Sequence, residues 1–194
     1  MDYLNDLKGT LTQGAVCCAL RHAGYPVVPS SIEALFPMLP LLSGEGYQSL
    51  ALAPQLRRLP DLLILPNAGA AWQVEVKYRS RITRDGLCQL HTKLKAQQDS
   101  HPETHTVLIR SVSPRGAAAR ADDLIRVLPP RKLEHLVAAD IFYHNLGEGA
   151  AEEQRLEPLW QSLRTMSSSF PRLKGAPRQL LEQLVPFIRA MAEL

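Results

Sequence analysis

The sequence of 194 residues has little cysteine, with only Cys17, Cys18 and Cys88. Three cysteines cannot all pair, and Cys17 and Cys18 are neighbours that point in different directions on a predicted helix. No second cysteine pair exists to complete a zinc site. We therefore expect all three cysteines to be small buried side chains in a protein of a reducing compartment.

Long hydrophobic runs are also missing, since no segment approaches the ~20 apolar residues of a membrane span. The first residues carry Asp2 and Asp6, whereas a signal peptide begins with basic residues. Hydrophobic residues make up 45% and charged residues 21% of the chain, which is typical of globular proteins. We expect a cytoplasmic protein without membrane contact.

The net charge of +3 is too small to identify a partner, but basic residues are concentrated between positions 77 and 95. A basic segment of this kind suits a polyanionic substrate such as nucleic acid. The alternative is a solvated helix face beside a basic loop. Under the first interpretation, the expected nucleic-acid contacts are Arg79, Arg81, Arg84 and Lys93.

The hydrophobic pattern predicts an α/β core over residues 1–128 and an α-helical extension over 129–194. Helices are predicted over 2–23 and 84–99, with Gly24 ending the first. Strands are predicted over 61–66, 71–78 and 104–112, with a short edge strand over 125–128. Residues 47–52 are compatible with a further strand. Three amphipathic stretches, 131–145, 151–166 and 177–193, follow Pro129 and Pro130.

Two neighbouring predicted strands carry the most informative residues. Asp61 opens the apolar run Leu62 to Leu65, and the next strand contains Glu75 and Lys77. Because side chains alternate along a strand, Glu75 and Lys77 share one face. A hairpin returning through residues 66–69 would bring Asp61 near Glu75. Two carboxylates and an ammonium in one place can bind a hard divalent cation and polarise a phosphate.

A structural interpretation of these residues is also available. A glutamate and a lysine two positions apart on a strand commonly form a surface ion pair. The functional interpretation is favoured because Asp61 leads into a run of four apolar residues, which is typical of a buried central strand. A carboxylate at the mouth of such a strand is costly unless it is paired or binds a metal.

The sequence Pro60-Asp61 followed by Glu75-Val76-Lys77 resembles the motif of the PD-(D/E)XK nuclease superfamily, which includes restriction endonucleases and archaeal Holliday junction resolvases. The resemblance implies a restriction-endonuclease-like αβββαβ core, a mixed sheet flanked by helices. In that family picture, residues 37–59 would supply the first strand and an insertion near the active site. The resemblance covers roughly residues 8–112.

The implied activity is Mg²⁺-dependent or Mn²⁺-dependent hydrolysis of phosphodiester bonds. The expected substrate is DNA rather than RNA. The implied metal ligands are Asp61, Glu75 and the Val76 carbonyl, and Lys77 would orient or help to deprotonate the attacking water.

The family often has a glutamate in its first helix, where this sequence has Gln13, a few residues after Gly9. A neutral Gln13 leaves open a one-metal enzyme, a metal-poor one, or a different residue in that role, with Glu45 as a weak candidate. In several branches the helix after the Glu-x-Lys strand carries a glutamine, and Gln89 occupies a suitable position here. Gln13 and Gln89 would hydrogen-bond water or phosphate.

Two alternatives to an active nuclease remain open. The same fold could serve as a catalytically weak or inactive module for nucleic-acid binding or assembly, which Gln13 favours. A structural α/β protein with a surface Glu75–Lys77 pair is the second. We also expect a homodimer that presents two sites to a duplex, with the helical extension as its interface because its apolar stripe, which includes Leu133, Leu136, Val137, Ile141 and Phe142, must be covered.

Overall fold

The computed structural model describes residues 3–36, 39, 46, 49–53, 55–65, 69, 71–137, 152–175 and 177–193. Its strands are β1 Val27–Pro29, β2 Leu62–Ile64, β3 Trp72–Arg79, β4 Thr104–Arg110 and β5 Ile125–Leu128. Its helices are α1 Tyr3–His22, α2 Ile32–Leu35, α3 Arg84–Gln98, α4 Ala121–Leu124, α5 Glu134–Val137, α6 Glu152–Ser162, α7 Met166–Ser169 and α8 Pro177–Ala190. The predicted α/β class is confirmed.

The first helix ends where the sequence predicted. Gly24 has a φ of +80°, a left-handed conformation that glycine adopts without steric cost. The Gly24 N–H donates to the Arg21 carbonyl at 2.9 Å, and the Tyr25 N–H donates to the Leu20 carbonyl at 3.0 Å. This pair of bonds closes the helix and turns the chain into β1.

The five strands form one mixed sheet in the order β1-β2-β3-β4-β5. β1, β2 and β3 pair antiparallel, β3 and β4 pair parallel, and β5 returns antiparallel to β4. The connection from β3 to β4 runs through α3, as a parallel pair requires. β2 is therefore an interior strand and β5 is the last strand of the sheet, and both placements confirm the prediction.

The position of the first strand differs from the prediction. Val27–Pro29 forms β1 and pairs with β2 in the register Val28↔Leu63. In the segment 47–52, residues 47 and 48 lie outside the described residues, and residues 49–52 form no strand. The sheet edge is instead provided by the short extended segment that directly follows α1.

Each face of the sheet is covered by its own core cluster. The first cluster includes Leu20 of α1, Val76 of β3 and Ile188 of α8, all of them buried. The second cluster includes Leu90 of α3, Leu108 of β4 and Trp160 of α6. Val107 and Leu108 of β4 thus face opposite cores, because side chains alternate across a strand.

The helical extension packs on the sheet and supplies part of both clusters. In α8, the apolar residues Leu181, Val185 and Ile188 are buried in the first cluster, as is Met191 directly after the helix. Leu136 and Leu156 are buried in the second, and Leu133 packs against it. Ile141 and Phe142 lie outside the described residues. These described apolar residues of the extension are therefore covered within the chain, and dimerisation stays a prediction that they do not require.

The cysteine prediction is correct for Cys17 and wrong for the other two. Cys17 is buried, and burial raises the pKa of its thiol, whereas Cys18 and Cys88 are exposed. Consecutive helical residues point about 100° apart, so Cys18 lies off the face that α1 buries. All three thiols are free. Among the described residues, no helix is long and apolar enough to cross a membrane.

Candidate catalytic site and cationic cleft

Asp61 lies directly before β2, where the antiparallel hairpin of β2 and β3 places it beside Val76. The register Leu62↔Val74 leaves the continuation of β3 next to the Asp61 side chain. The Asp61 Oδ2 atom accepts a hydrogen bond from the Val76 N–H at 2.7 Å. The Asp61 carboxylate thus accepts the hydrogen bond that the Val76 N–H would otherwise donate to a neighbouring strand.

The backbone of Asp61 is held from two other elements. Its carbonyl accepts hydrogen bonds from the Ser30 N–H at 2.9 Å and from the Gln13 side-chain Nε2 at 3.4 Å. The Ser30 hydroxyl also donates to the Pro60 carbonyl at 2.8 Å. These contacts fix the chain at Asp61 from the end of β1 and from α1.

Val76 presents its carbonyl to the same edge of β3. In an extended strand, the N–H and C=O of one residue point to the same side. Because the Val76 N–H contacts Asp61, its carbonyl also faces the side on which Asp61 lies. The backbone oxygen and the Asp61 carboxylate can therefore serve one bound cation together.

Glu75 and Lys77 lie on the face of β3 that α3 covers. The Lys77 ammonium contacts the Glu75 Oε1 atom in an ion pair. Gln97 of α3 donates a hydrogen bond from its Nε2 to the Glu75 Oε2 atom at 2.6 Å. Glu75 is only 4% exposed, so both of its oxygens are held by protein donors rather than by bulk water.

The electrostatics of the site leave it with an excess of negative charge. Burial, followed by the charge of Glu75, raises the pKa of Asp61 from 3.8 to about 7, against the lowering effects of Lys77 and the Val76 N–H. Burial lowers the pKa of Lys77, but the charges of Glu75 and Asp61 outweigh burial and leave it raised. Lys77 is thus an ammonium at neutral pH, and Asp61 holds a proton part of the time. A divalent cation could replace that proton.

Glu33 is a third acidic residue whose charge acts on Asp61. It lies in the first turn of α2, shortly after Ser30, and its charge is among the causes that raise the pKa of Asp61. Sequence reasoning missed this residue because Glu33 lies outside the motif and comes near Asp61 only in the folded chain. The cap of α2 is Ser31, whose hydroxyl accepts from the Ala34 N–H at 3.3 Å. The other candidate, Glu45, lies outside the described residues.

The donor set suits a hard divalent cation that keeps several waters. Mg²⁺ is commonly bound through one or two carboxylates with water and phosphate oxygens completing its shell. Asp61, Glu75 and the Val76 carbonyl provide ligands of this type. Among the described residues, no group of three or more His, Cys, Asp or Glu side chains is arranged to hold a metal.

The two glutamines chosen from the sequence lie in different surroundings. Gln13 contacts the backbone of Asp61 rather than its carboxylate. Gln89 is exposed on α3. Gln97, two helical turns further along the same face as Gln89, makes the contact with Glu75. The four-residue spacing of Gln89, Lys93 and Gln97 indicates that they share one helix face. The spacing does not indicate which of the three reaches β3.

A cleft of about 440 Å³ lies beside the carboxylates, at the end of β3. Its walls are the first half of α1, residues 76–80 and Lys93 of α3, and its charged groups are Lys8, Lys77, Arg79 and Lys93. The predicted nucleic-acid contacts Arg79 and Lys93 are thus brought together. Arg81 and Arg84 lie at the turn that leads into α3 and do not line this cleft.

Comparisons of the chain with protein-family models, with curated proteins and with solved structures find no significant match. Function must therefore be inferred from the residues that the fold brings together. Those residues are a carboxylate pair, an adjoining ammonium, and a cleft lined with cations.

Proposed function

We propose that this protein is a divalent-metal-dependent nuclease of the PD-(D/E)XK type that acts on DNA. The observation that carries the proposal is the contact between the Asp61 carboxylate and Val76, with Glu75 and Lys77 on either side of Val76 along β3. The motif residues Asp61 and Glu75 are separated in the sequence and lie close together through the pairing of β2 and β3. A cytoplasmic location and the pairing of two copies belong to the same proposal.

The order of elements supports this assignment. Helix α1 is followed by the antiparallel strands β1, β2 and β3, and then by α3 and the parallel strand β4. This succession agrees with the αβββαβ order of the superfamily, apart from the short helix α2 between β1 and β2. Asp61 directly precedes β2 and Glu75 lies on the adjacent strand β3, which supports the proposal.

The proposed reaction adds a water oxygen to phosphorus and breaks the bond to the leaving oxygen, which gives a phosphate monoester and a hydroxyl group. Asp61, Glu75 and the Val76 carbonyl would hold Mg²⁺ or Mn²⁺, and the bound ion would withdraw charge from the phosphate and acidify water. Because its pKa is raised, Lys77 acts as a charged donor that orients water and stabilises the developing negative charge. Deprotonated Asp61 is the form competent to bind the metal.

A nuclease-like module that binds nucleic acid without cutting it is the second candidate. It is favoured by the neutral Gln13 and by the direct Lys77–Glu75 ion pair, which leaves Glu75 engaged. Metal binding must compete with that ion pair for one carboxylate oxygen. The cationic cleft serves this candidate equally well.

One experiment separates the two candidates. Purified protein is incubated with plasmid, linear, single-stranded and branched DNA and with RNA, in Mg²⁺, Mn²⁺ or EDTA, and products are resolved on denaturing gels. The nuclease proposal predicts cleavage of at least one DNA in metal and none in EDTA. Binding of these substrates without cleavage in either metal would favour the binding module.

A further inference from the structure

We propose that Lys8, Arg79 and Lys93 bind a phosphate of the nucleic acid without metal. This phosphate would be the neighbour of the phosphate that is cleaved at the catalytic carboxylates. This inference rests on the proposed function, since it deepens the description of the same substrate. It assigns a ligand to the part of the cleft that lies beyond Lys77. Neither Lys8 nor its combination with these two cations was apparent from the motif.

The three cations come from three different elements that meet at an open edge of β3. β2 pairs with β3 only over Trp72 to Val74, so the later part of β3 lacks a strand partner on that side among the described residues. Just beyond the residues that pair with β2, the Val76 N–H is bonded by the Asp61 carboxylate. The cleft occupies the positions after it, with Lys8 on one wall and Lys93 on another.

Three of the four cations that line the cleft lack a carboxylate partner among the described residues, whereas Lys77 is paired with Glu75. Lys8 and Arg79 are half-buried, and none of the three cations forms an ion pair with a described acidic residue. The Arg79 guanidinium donates to the Tyr78 carbonyl at 2.7 Å, and burial lowers its pKa. Lys93 is exposed, so the free-energy cost of bringing the three cations together without an anion falls mainly on the half-buried Lys8 and Arg79. The oxygens of a bound phosphate would accept charge-assisted hydrogen bonds from these cations.

The position of the cleft along β3 points to a neighbouring phosphate of the same strand. Lys77 contacts Glu75 and belongs to the proposed catalytic site. Arg79 lies two residues further along β3 on the same face. Two residues of a strand advance by about 7 Å. The cations are thus offset along the strand from the proposed point of cleavage, where a second phosphate of a bound nucleic acid can reach them.

The test measures binding without metal, so that cleavage does not enter. Fluorescein-labelled single-stranded and duplex DNA are titrated in EDTA at several salt concentrations with wild type, Lys8→Gln and Lys93→Gln. Lys95→Gln is the matched control, because Lys95 is exposed on the same helix and lies outside the cleft. We expect each cleft variant to bind DNA severalfold more weakly. The slope of log binding constant against log salt concentration should fall by about one ion, and Lys95→Gln should match the wild type.

The outcomes separate this inference from the proposed function. If Lys8→Gln and Lys93→Gln match Lys95→Gln in affinity and salt slope, the phosphate site is refuted even if the wild type cleaves DNA in Mg²⁺. If both variants weaken binding but no metal supports cleavage, the phosphate site stands and the nuclease proposal fails. No binding of either DNA by the wild type would overturn the inference.

Discussion

Gln97 donates a hydrogen bond to Glu75, with 2.6 Å between its Nε2 and the carboxylate Oε2. The same nitrogen lies 3.4 Å from the Arg58 carbonyl. Since Lys77 contacts the other oxygen, Gln97 sets the rotation of the Glu75 carboxylate. Gln97 is therefore a positioning residue that acts through Glu75.

Gln97→Leu should weaken Mg²⁺ binding and cleavage by about 10-fold to 100-fold, the usual effect of removing a partner of a metal ligand. It should also lower the free energy of unfolding by about 1–3 kcal/mol, because the Oε2 atom loses its donor. Gln97→Glu should change the pH dependence of cleavage, because it introduces a titratable carboxyl group against Glu75. The measurements are metal titration, pH–rate profiles and denaturant unfolding.

Gln98→Leu is the control for Gln97→Leu, since the Gln98 side-chain nitrogen is buried and has no hydrogen-bond partner among the described residues. It should leave metal affinity and the pH profile unchanged. If Gln97→Leu behaves like Gln98→Leu, Gln97 does not position Glu75 for metal binding.

Asp61 makes the metal-free protein less stable as pH rises. Its folded pKa of about 7 exceeds the unfolded value of 3.8, so the folded state binds the proton more tightly. The resulting stabilisation is complete below pH 3.8 and is lost as pH rises through about 7. Unfolding of wild type and Asp61→Asn in EDTA across this range should give a steeper decline for wild type. Parallel pH profiles would contradict the raised pKa.

Metal binding should have the opposite pH dependence, because the cation and the proton compete for Asp61. Titration of Mn²⁺ should show affinity increasing as pH rises towards and through about 7. An affinity that is independent of pH in this range would place the metal away from Asp61.

Gln13→Glu should tighten metal binding while making the metal-free protein less stable. The substitution removes the donor to the Asp61 carbonyl and adds a negative charge beside an acidic site. Melting temperatures with and without Mn²⁺ should show a larger metal-induced increase than in wild type. Gln13→Ala should reduce cleavage only in part. Metal affinity unchanged in both variants would place Gln13 outside the site.

The apolar face of α8 should contribute to stability without controlling association. Ile188 is 1% exposed in the first core cluster, so Ile188→Ala should cost about 2–5 kcal/mol. Denaturant unfolding and sedimentation at several micromolar concentrations should show this loss at every concentration. A loss of stability that disappears as protein concentration rises would identify the face as a dimer interface instead.

Local patterns predicted the part of the site that lies on one hairpin. Alternation placed Glu75 and Lys77 on one face of β3, and the short connection brought Asp61 beside them. The register of α3 on β3 could not be predicted in this way. Gln89, Lys93 and Gln97 share one helix face, and only the packing of α3 on the sheet selects Gln97 to reach Glu75.

Long-range packing also decided the features that the sequence placed elsewhere or left open. Val27–Pro29 is too short to be distinguished from a loop, and becomes a strand through its pairing with β2. The sequence predicts the apolar stripe of α8. It does not predict which surface covers that stripe. Glu33 approaches Asp61 only because Ser30 is bonded to the chain at Pro60 and Asp61.

Cleavage by Asp61→Asn is the most direct test of the central claim. The amide keeps an oxygen that can accept from the Val76 N–H, so the substitution removes the charge with little effect on the fold. Asp99→Asn, at an exposed position after α3, is the control. In Mg²⁺, with melting curves confirming that both variants are folded, the control should cleave DNA as wild type does. We predict that Asp61→Asn loses cleavage, and near-wild-type cleavage by folded Asp61→Asn would contradict the proposed nuclease site.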